Sequence, residues 1–303
     1  PVLSFIRNLG FHGDDQRILK DCFSQQPQLF SAVFSGASAW VANAFIWTPS
    51  CDSFDQRVHI TPANLTHCFH RSLDVSYTQY LLDRVVLNHS HYCLHAPIAN
   101  SFSDEGAANM VRLSSSDKGF YLFVHGSLSE HRQMFQGRQS RMAQEWIMRS
   151  HCLDGHYCMF IEQSQQAIDA GVFHNDVICF GAETVLVLHE YAFSQQTSLL
   201  KQLQERFFDL YQRSLEIVVI SESMLSLDLA VSSYFFNSQL ILLDTNHFLL
   251  LCPKSCKDND AVQSCLAYIR AQSSYQWTIV YVELEESLKN GGGPACLRGM
   301  GMV

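Results

Sequence analysis

Three side chains set far apart in this 303-residue sequence could do chemistry together: a thiol, an imidazole and a carboxylate. Cys296 follows Gly291-Gly292-Gly293-Pro294-Ala295, a run whose backbone must approach something closely or take up positive φ. A thiol held there can face a cleft and act as a nucleophile once ionised; an inert loop cysteine is the plainer alternative. His174 stands two residues before Asp176. On a strand those side chains share a face, placing a proton carrier of near-neutral pKa beside a carboxylate. A satisfied structural histidine is the alternative. Glu105 lies in Ser103-Asp104-Glu105-Gly106-Ala107-Ala108-Asn109, where adjacent acids ordinarily mean a solvated turn. Arg71 and Arg138 each precede an expected helix and could clamp carboxylates through two N–H groups, or serve only solubility.

Two histidine- and cysteine-rich runs invite a metal reading: His89-x-His91-x-Cys93-x-His95, and His151-Cys152 followed by His156-x-Cys158. Alternate residues on a strand share a face and could converge on zinc. The spacing is not that of a zinc finger, however, and His-Tyr-Cys recurs at 91–93 and 156–158 as part of a repeated strand. No metal is expected, and no cofactor: Gly291–Gly293 fits neither the phosphate loop nor the dinucleotide fingerprint.

The elements that must position these residues follow from composition and pattern. A sequence 47% hydrophobic and 16% charged carries enough apolar surface for a core, which excludes disorder as the main state. Twenty basic against twenty-nine acidic residues give a charge of −9, which argues against nucleic acid or an anionic membrane as the main partner. No apolar run approaches the roughly 20 residues needed to span a bilayer, and there is no basic-then-apolar leader. Eleven scattered cysteines, an odd number without a CxxC pair, suit a reducing cytoplasm better than a disulfide scaffold. The first residue is Pro1 rather than Met, so a start inside a longer protein is expected.

Short β-rich runs are clearest at 119–125, 157–162, 176–180, 184–189, 216–221, 239–243, 247–252 and 277–284. Helical spacing marks 198–213, 261–271, 139–149 and 72–87, with further helices expected at 14–23 and 26–34. From Asn175 the order is strand, strand, helix, strand, and it repeats from Asn237, with Asp244-Thr245-Asn246 as the hairpin turn. Similar series begin at Asn43 and Asn109, so the four asparagines are spaced by 66, 66 and 62 residues. A fixed period implies a repeat architecture, here ββαβ units about an axis with the asparagines near its mouth. A fifth unit opens at Gly291. Glu105, His174 and Cys296 all fall at unit starts, which such a ring brings to one end.

Six stretches together resemble the N-succinylarginine dihydrolases. They are Trp40-Val41-Ala42-Asn43-Ala44, Phe69-His70-Arg71-Ser72-Leu73, Asp104-Glu105-Gly106-Ala107-Ala108-Asn109, Gly171-Val172-Phe173-His174-Asn175-Asp176-Val177-Ile178, Phe236-Asn237-Ser238-Gln239-Leu240 and Asn290-Gly291-Gly292-Gly293-Pro294-Ala295-Cys296-Leu297-Arg298. The resemblance implies the pentein fold, an α/β propeller of five ββαβ blades. It further implies a single catalytic domain over 1–303, incomplete at both ends relative to the family and with its last blade open. The activity implied is cofactor-free hydrolysis of N2-succinyl-L-arginine to N2-succinyl-L-ornithine, two ammonia and carbon dioxide, in the cytoplasm and as a homodimer. Carried over by motif, Cys296 is the nucleophile and His174 and Glu105 complete the catalytic set. Asn43, His70, Arg71, Arg138, Asp176 and Asn290 fall to substrate binding. A deiminase-type pentein releasing one ammonia, or a pentein that binds without turnover, are the competing expectations.

Overall fold

The computed structural model describes residues 2–85, 90–126 and 134–298. Twelve strands form four three-stranded sheets: β1 (Phe45–Thr48), β2 (Val58–Pro62) and β3 (Tyr92–Leu94); β4 (Met110–Ser114), β5 (Gly119–His125) and β6 (Cys158–Glu162); β7 (Cys179–Ala182), β8 (Val185–His189) and β9 (Glu216–Ile220); β10 (Gln239–Asp244), β11 (His247–Pro253) and β12 (Gln276–Val282). In each sheet the first two strands pair antiparallel and the third lies parallel to the second. A parallel return needs a crossover, supplied by helices Val75–Val85, Arg141–Ser150, Gln196–Tyr211 and Asp260–Gln272. The middle strands β5 and β8 are buried along their whole length, which is why they read as continuous apolar runs rather than alternating ones. The crossover helices turn one stripe inward: Leu203 and Phe207 in one, Val262, Cys265, Leu266 and Ile269 in another.

The four units follow one another around a cycle. β4 packs on β7 and β7 on β10, while the turn Gly106–Asn109 packs on the short helix Val41–Ala44 that leads into β1. The segment ending in Cys296 closes the circle. Ala295 N–H donates to the Asn237 carbonyl at 2.9 Å, and the Cys296 carbonyl accepts from Ala42 N–H at 3.1 Å. The described residues therefore hold four ββαβ sheets and, between the fourth and the first, the opening of a fifth position.

The α/β class and the repeated unit are those read from the sequence. One detail differs. The expected strand 176–180 begins only at Cys179, because Asn175–Val177 winds into a 3-10 turn, so His174 and Asp176 do not sit on one strand face. The amino-terminal helices fall at Asp15–Gln25 and Pro27–Val33, with a further one at Val2–Asn8 that the sequence pattern did not indicate. The helix expected at 72–87 occupies Val75–Val85; residues 86 and 87 lie outside the described residues, as does His89.

Candidate active site

The asparagines that mark the repeat are all buried, and two of them visibly stitch one unit to the next. Asn109 Oδ1 accepts from the backbone N–H of Asn175 at 2.9 Å, and Asn237 Nδ2 donates to the Asp176 carbonyl at 3.1 Å. A short amide satisfies a neighbouring turn's backbone where no sheet ladder reaches it. Glycine is needed where turns meet most closely. Gly106 has φ +71°, and a Cβ there would lie 2.7 Å from the Asn43 carbonyl oxygen; one on Gly293 would lie 2.5 Å from Asn237 Oδ1. The turns that carry Glu105, His174 and Cys296 are thus locked against one another.

Glu105 is fully buried at the start of the turn Gly106–Asn109. Its Oε2 accepts from Arg71 Nη1 at 2.5 Å and meets His174 Nε2 at 3.0 Å, while its backbone N–H donates to Gln139 Oε1 at 2.8 Å. Burial alone would raise its pKa, but the hydrogen bond to His174 and the charge of Arg71 pull it down to about 2. The plainer alternative of a solvated acidic turn does not hold, since Asp104 is also fully buried. Asp104 takes Gln139 Nε2 at 3.1 Å and Gly106 N–H at 3.3 Å, and its own N–H donates to Asn64 Oδ1 at 3.0 Å. Burial prevails there and lifts its pKa to about 6. Two adjacent acids are driven in opposite directions because only one faces cations.

Cys296 and Asp176 form the other half of the site. Both are buried, with Cys296 Sγ 3.8 Å from Asp176 Oδ2. Burial first, and then the Asp176 charge, push the thiol up to about 12, with Asn237, the Gly293 backbone and Arg298 acting against them. Asp176 is raised by burial and eased by His174 and Arg298. Glu105 Oε1, Asp176 Oδ1 and Arg71 Nη2 are among the buried polar atoms that have no hydrogen-bond partner among the described residues. Below Asp176, Ala295 and Arg298 opens an axial cleft walled by residues of β1, β4, β7 and β10, including Trp47, Met110, Phe180 and Leu240.

The remaining expected residues divide. Asn43 is buried in the ring, with Nδ2 unpartnered among the described residues. Arg138 lies over the Phe173 ring at 4.2 Å, next to His174 in sequence, and its charge bears on Glu105. His70, half-buried and kept less basic by burial and by Arg71, also senses Arg138 and Glu105. Asn290 is different: it is exposed at the end of helix Glu285–Lys289, where Nδ2 donates to the Glu286 carbonyl at 2.8 Å, and no described contact joins it to the Glu105 cluster. Sequence reasoning passed over Asp104, Gln139, Asn64 and His67. The last is made less basic by burial and feels Glu105, Arg138 and His174. Only the fold brings them together, since Gln139 follows Glu105 by 34 positions and Asn64 precedes Asp104 by 40.

Comparison with known proteins identifies the family. The model of the succinylarginine dihydrolase family matches residues 1–301. The chain belongs to the succinylarginine dihydrolase family. An N-succinylarginine dihydrolase of Aeromonas hydrophila is 38% identical over 307 residues, covering 98% of this chain and 68% of the relative. One of Photorhabdus laumondii is 39% identical over 312 residues, with the same coverage. Among solved structures, the cyanobacterial arginine dihydrolase ArgZ superposes with a TM-score of 0.54 at 12% identity, covering 86% of this chain and 31% of that one. A variant of AgrE bound to L-arginine gives the same TM-score at 13% identity, covering 86% and 30%. These two likenesses concern the fold alone, which is the pentein fold.

Proposed function

We propose that this chain hydrolyses the guanidino group of N2-succinyl-L-arginine to N2-succinyl-L-ornithine, two ammonia and carbon dioxide, through a covalent adduct on Cys296. Family membership supports the substrate. The observation that carries the chemistry is the convergence of Glu105 and His174, and of Asp176 and Cys296, on unit starts held together by hydrogen bonds. Residues 1–303 are read as one α/β-propeller catalytic domain, a reading supported by the closed cycle of contacts. A cytoplasmic homodimer goes with the resemblance, and the eleven free thiols suit a reducing compartment.

The unpartnered atoms suit the substrate. Glu105 Oε1 and Asp176 Oδ1 are acceptors for guanidinium N–H groups, and Arg71 Nη2 is a donor for an anionic tail. Arg71 is not a free clamp, because Nη1 already serves Glu105. Its first task is to keep that carboxylate ionised, and Arg138 is the more available cation for the succinyl or α-carboxylate group. A guanidinium bound beside Asp176 offsets the negative charge that holds the Cys296 thiol protonated, so substrate binding itself favours the thiolate.

The thiolate attacks the guanidino carbon, a poor electrophile that suits a soft nucleophile. His174 gives a proton to the departing ammonia and then takes one from water. That water adds to the carbon, the C–S bond breaks, and a ureido product and the Cys296 thiol are restored. A second round on the ureido carbon expels the second ammonia, and water cleaves the new thioester-like adduct. The resulting carbamate loses carbon dioxide, so two water molecules are consumed in all. Glu105 orients the cation and His174.

Ammonia counted against succinylarginine consumed by the purified chain tests this reading. Two ammonia per substrate is the expected result. One ammonia with a ureido product would make it a deiminase, and a thermal shift without ammonia would make it a binding protein.

A further inference from the structure

Away from the mouth, the first sheet gathers a second set of titratable side chains. His59 on β2 is paired in register with Cys93 on β3, and His95 follows two residues beyond Cys93. One donor atom from each of His59, Cys93 and His95 lies within 4.8 Å of the others. His59 Nδ1 faces His95 Nε2 at 2.9 Å, while His59 Nε2 meets Asp55 Oδ1 at 2.9 Å. His151 closes one side by stacking on both rings, centroids 5.5 and 5.2 Å away. Its own nitrogens are taken by Thr48 Oγ1 and Thr61 Oγ1, each at 2.7 Å, so it is wall rather than donor.

From this geometry we propose that His59, Cys93 and His95 form a site for a zinc-class divalent cation, with Asp55 orienting His59 from behind and one coordination position open to solvent. This departs from the expectation of no metal, which rested on linear spacing; the run 89–95 alone lacks the partner that β2 supplies. The donor set is two imidazoles and a thiolate, a borderline-soft combination suited to zinc or cobalt. An imidazole that ligates a metal usually donates its other N–H to a carboxylate, and the Asp55–His59 pair is that arrangement. With Nε2–H given to Asp55, His59 Nδ1 keeps its lone pair. A neutral imidazole is the ligating form.

Without a metal, a His95 proton can bridge the two nitrogens. With zinc bound, His95 carries its proton on Nδ1, and Cys93 gives up its S–H proton to solvent and ligates as the thiolate. Zn–N bonds of about 2.0–2.1 Å in a tetrahedron put two nitrogens about 3.3 Å apart, so the pair opens by a few tenths of an ångström. Cys93 and His95 are half-buried, which leaves an approach for the ion. The bound ion would cross-link β2 to β3, a strand of only three residues.

Cobalt titration of the full 303-residue chain tests the proposal, carried out with Cys296→Ser to remove the catalytic thiol. One equivalent bound, with thiolate-to-cobalt charge-transfer absorption, is expected. Cys93→Ser should abolish that band, and Asp55→Asn should weaken binding by about 10- to 100-fold. As a check needing no variant at the site, zinc should protect Cys93 from iodoacetamide, mapped by mass spectrometry, while leaving the exposed Cys51 reactive. The proposal is overturned by no saturable binding or by a band that survives Cys93→Ser. Loss of the band in Cys152→Ser alone would also overturn it, because Asp55, His59 and Cys152 form the competing donor group. So would failure of zinc to protect Cys93.

Discussion

The mouth of the ring and the imidazole stack of the first sheet are both buried and polar, yet they resolve burial in opposite ways. At the mouth, Arg71, Glu105 and His174 meet as charged or chargeable partners, and Glu105 Oε1, Asp176 Oδ1 and Arg71 Nη2 are among the polar atoms with no hydrogen-bond partner among the described residues. In the stack, His151 is neutralised by burial and both of its nitrogens are taken by threonine hydroxyls. Leaving polar atoms unmet inside a protein costs of the order of 1–3 kcal/mol each, a cost that a ligand bound at the mouth would relieve there. Sequence spacing pointed the other way. The run 89–95 crowds its histidines and a cysteine into one short segment, while the mouth's Glu105, His174 and Cys296 are single letters scattered over nearly two hundred positions.

The sharpest way to break the contrast is at Cys296. Cys296→Ala should lower the rate of ammonia release by at least about 10⁴-fold while leaving the thermal midpoint nearly unchanged. A variant retaining even a tenth of the activity would remove the thiol from the mechanism. Glu105→Gln should cost both activity and about 3–5 kcal/mol of stability, because it leaves Arg71 buried without its counter-ion. The pH dependence has a definite sign. Glu105 titrates lower in the folded state, near 2, than its ordinary 4.5, so the stability it contributes is complete above about pH 4.5 and lost as the pH falls toward 2. Denaturant midpoints should therefore fall less steeply across that window in the variant than in the parent.

On the other side of the contrast, His151→Leu strands Thr48 and Thr61. It should lower stability by about 1–3 kcal/mol with kcat/KM within about twofold of the parent; a large loss of activity would tie the stack to the mouth. Asp176→Asn should shift Cys296 alkylation, followed on its own peptide, to lower pH, since the Asp176 charge raises the thiol. An unshifted profile would separate the two residues electrostatically. The smallest change is expected for Asp104→Asn. Asp104 titrates near 6 when folded against an ordinary 3.8, so its contribution is full below about pH 3.8 and lost as the pH rises through 6. The Asn variant should gain relative stability between pH 4 and 7, read by urea midpoints.

How far the sequence reaches differs between the two regions. The crossover helices and the middle strands were legible because amphipathic stripes and continuous apolar runs are local signals. The asparagine period was legible too, though its meaning as a set of amides stitching neighbouring turns required coordinates. Glu105 could be marked only through its place in a repeat and a motif. Nothing local distinguishes a fully buried acid from the solvated turn that Asp104-Glu105 suggests. Asn290 shows the reverse: it belongs to a recognisable motif, yet its side chain caps a short helix on the surface.

The residue types of the site, the repeat that carries them and the family they belong to were determined by the sequence alone, because each is a pattern along the chain. Protonation was decided only by tertiary structure. His174 and Arg71, 69 and 34 positions from Glu105, keep that carboxylate ionised, and burial together with Asp176, 120 positions away, holds the Cys296 thiol protonated. His59 meets Cys93 and His95 only because β3 returns parallel to β2. Charge, burial and ligand geometry depend on distances through space, and a linear sequence does not carry those distances.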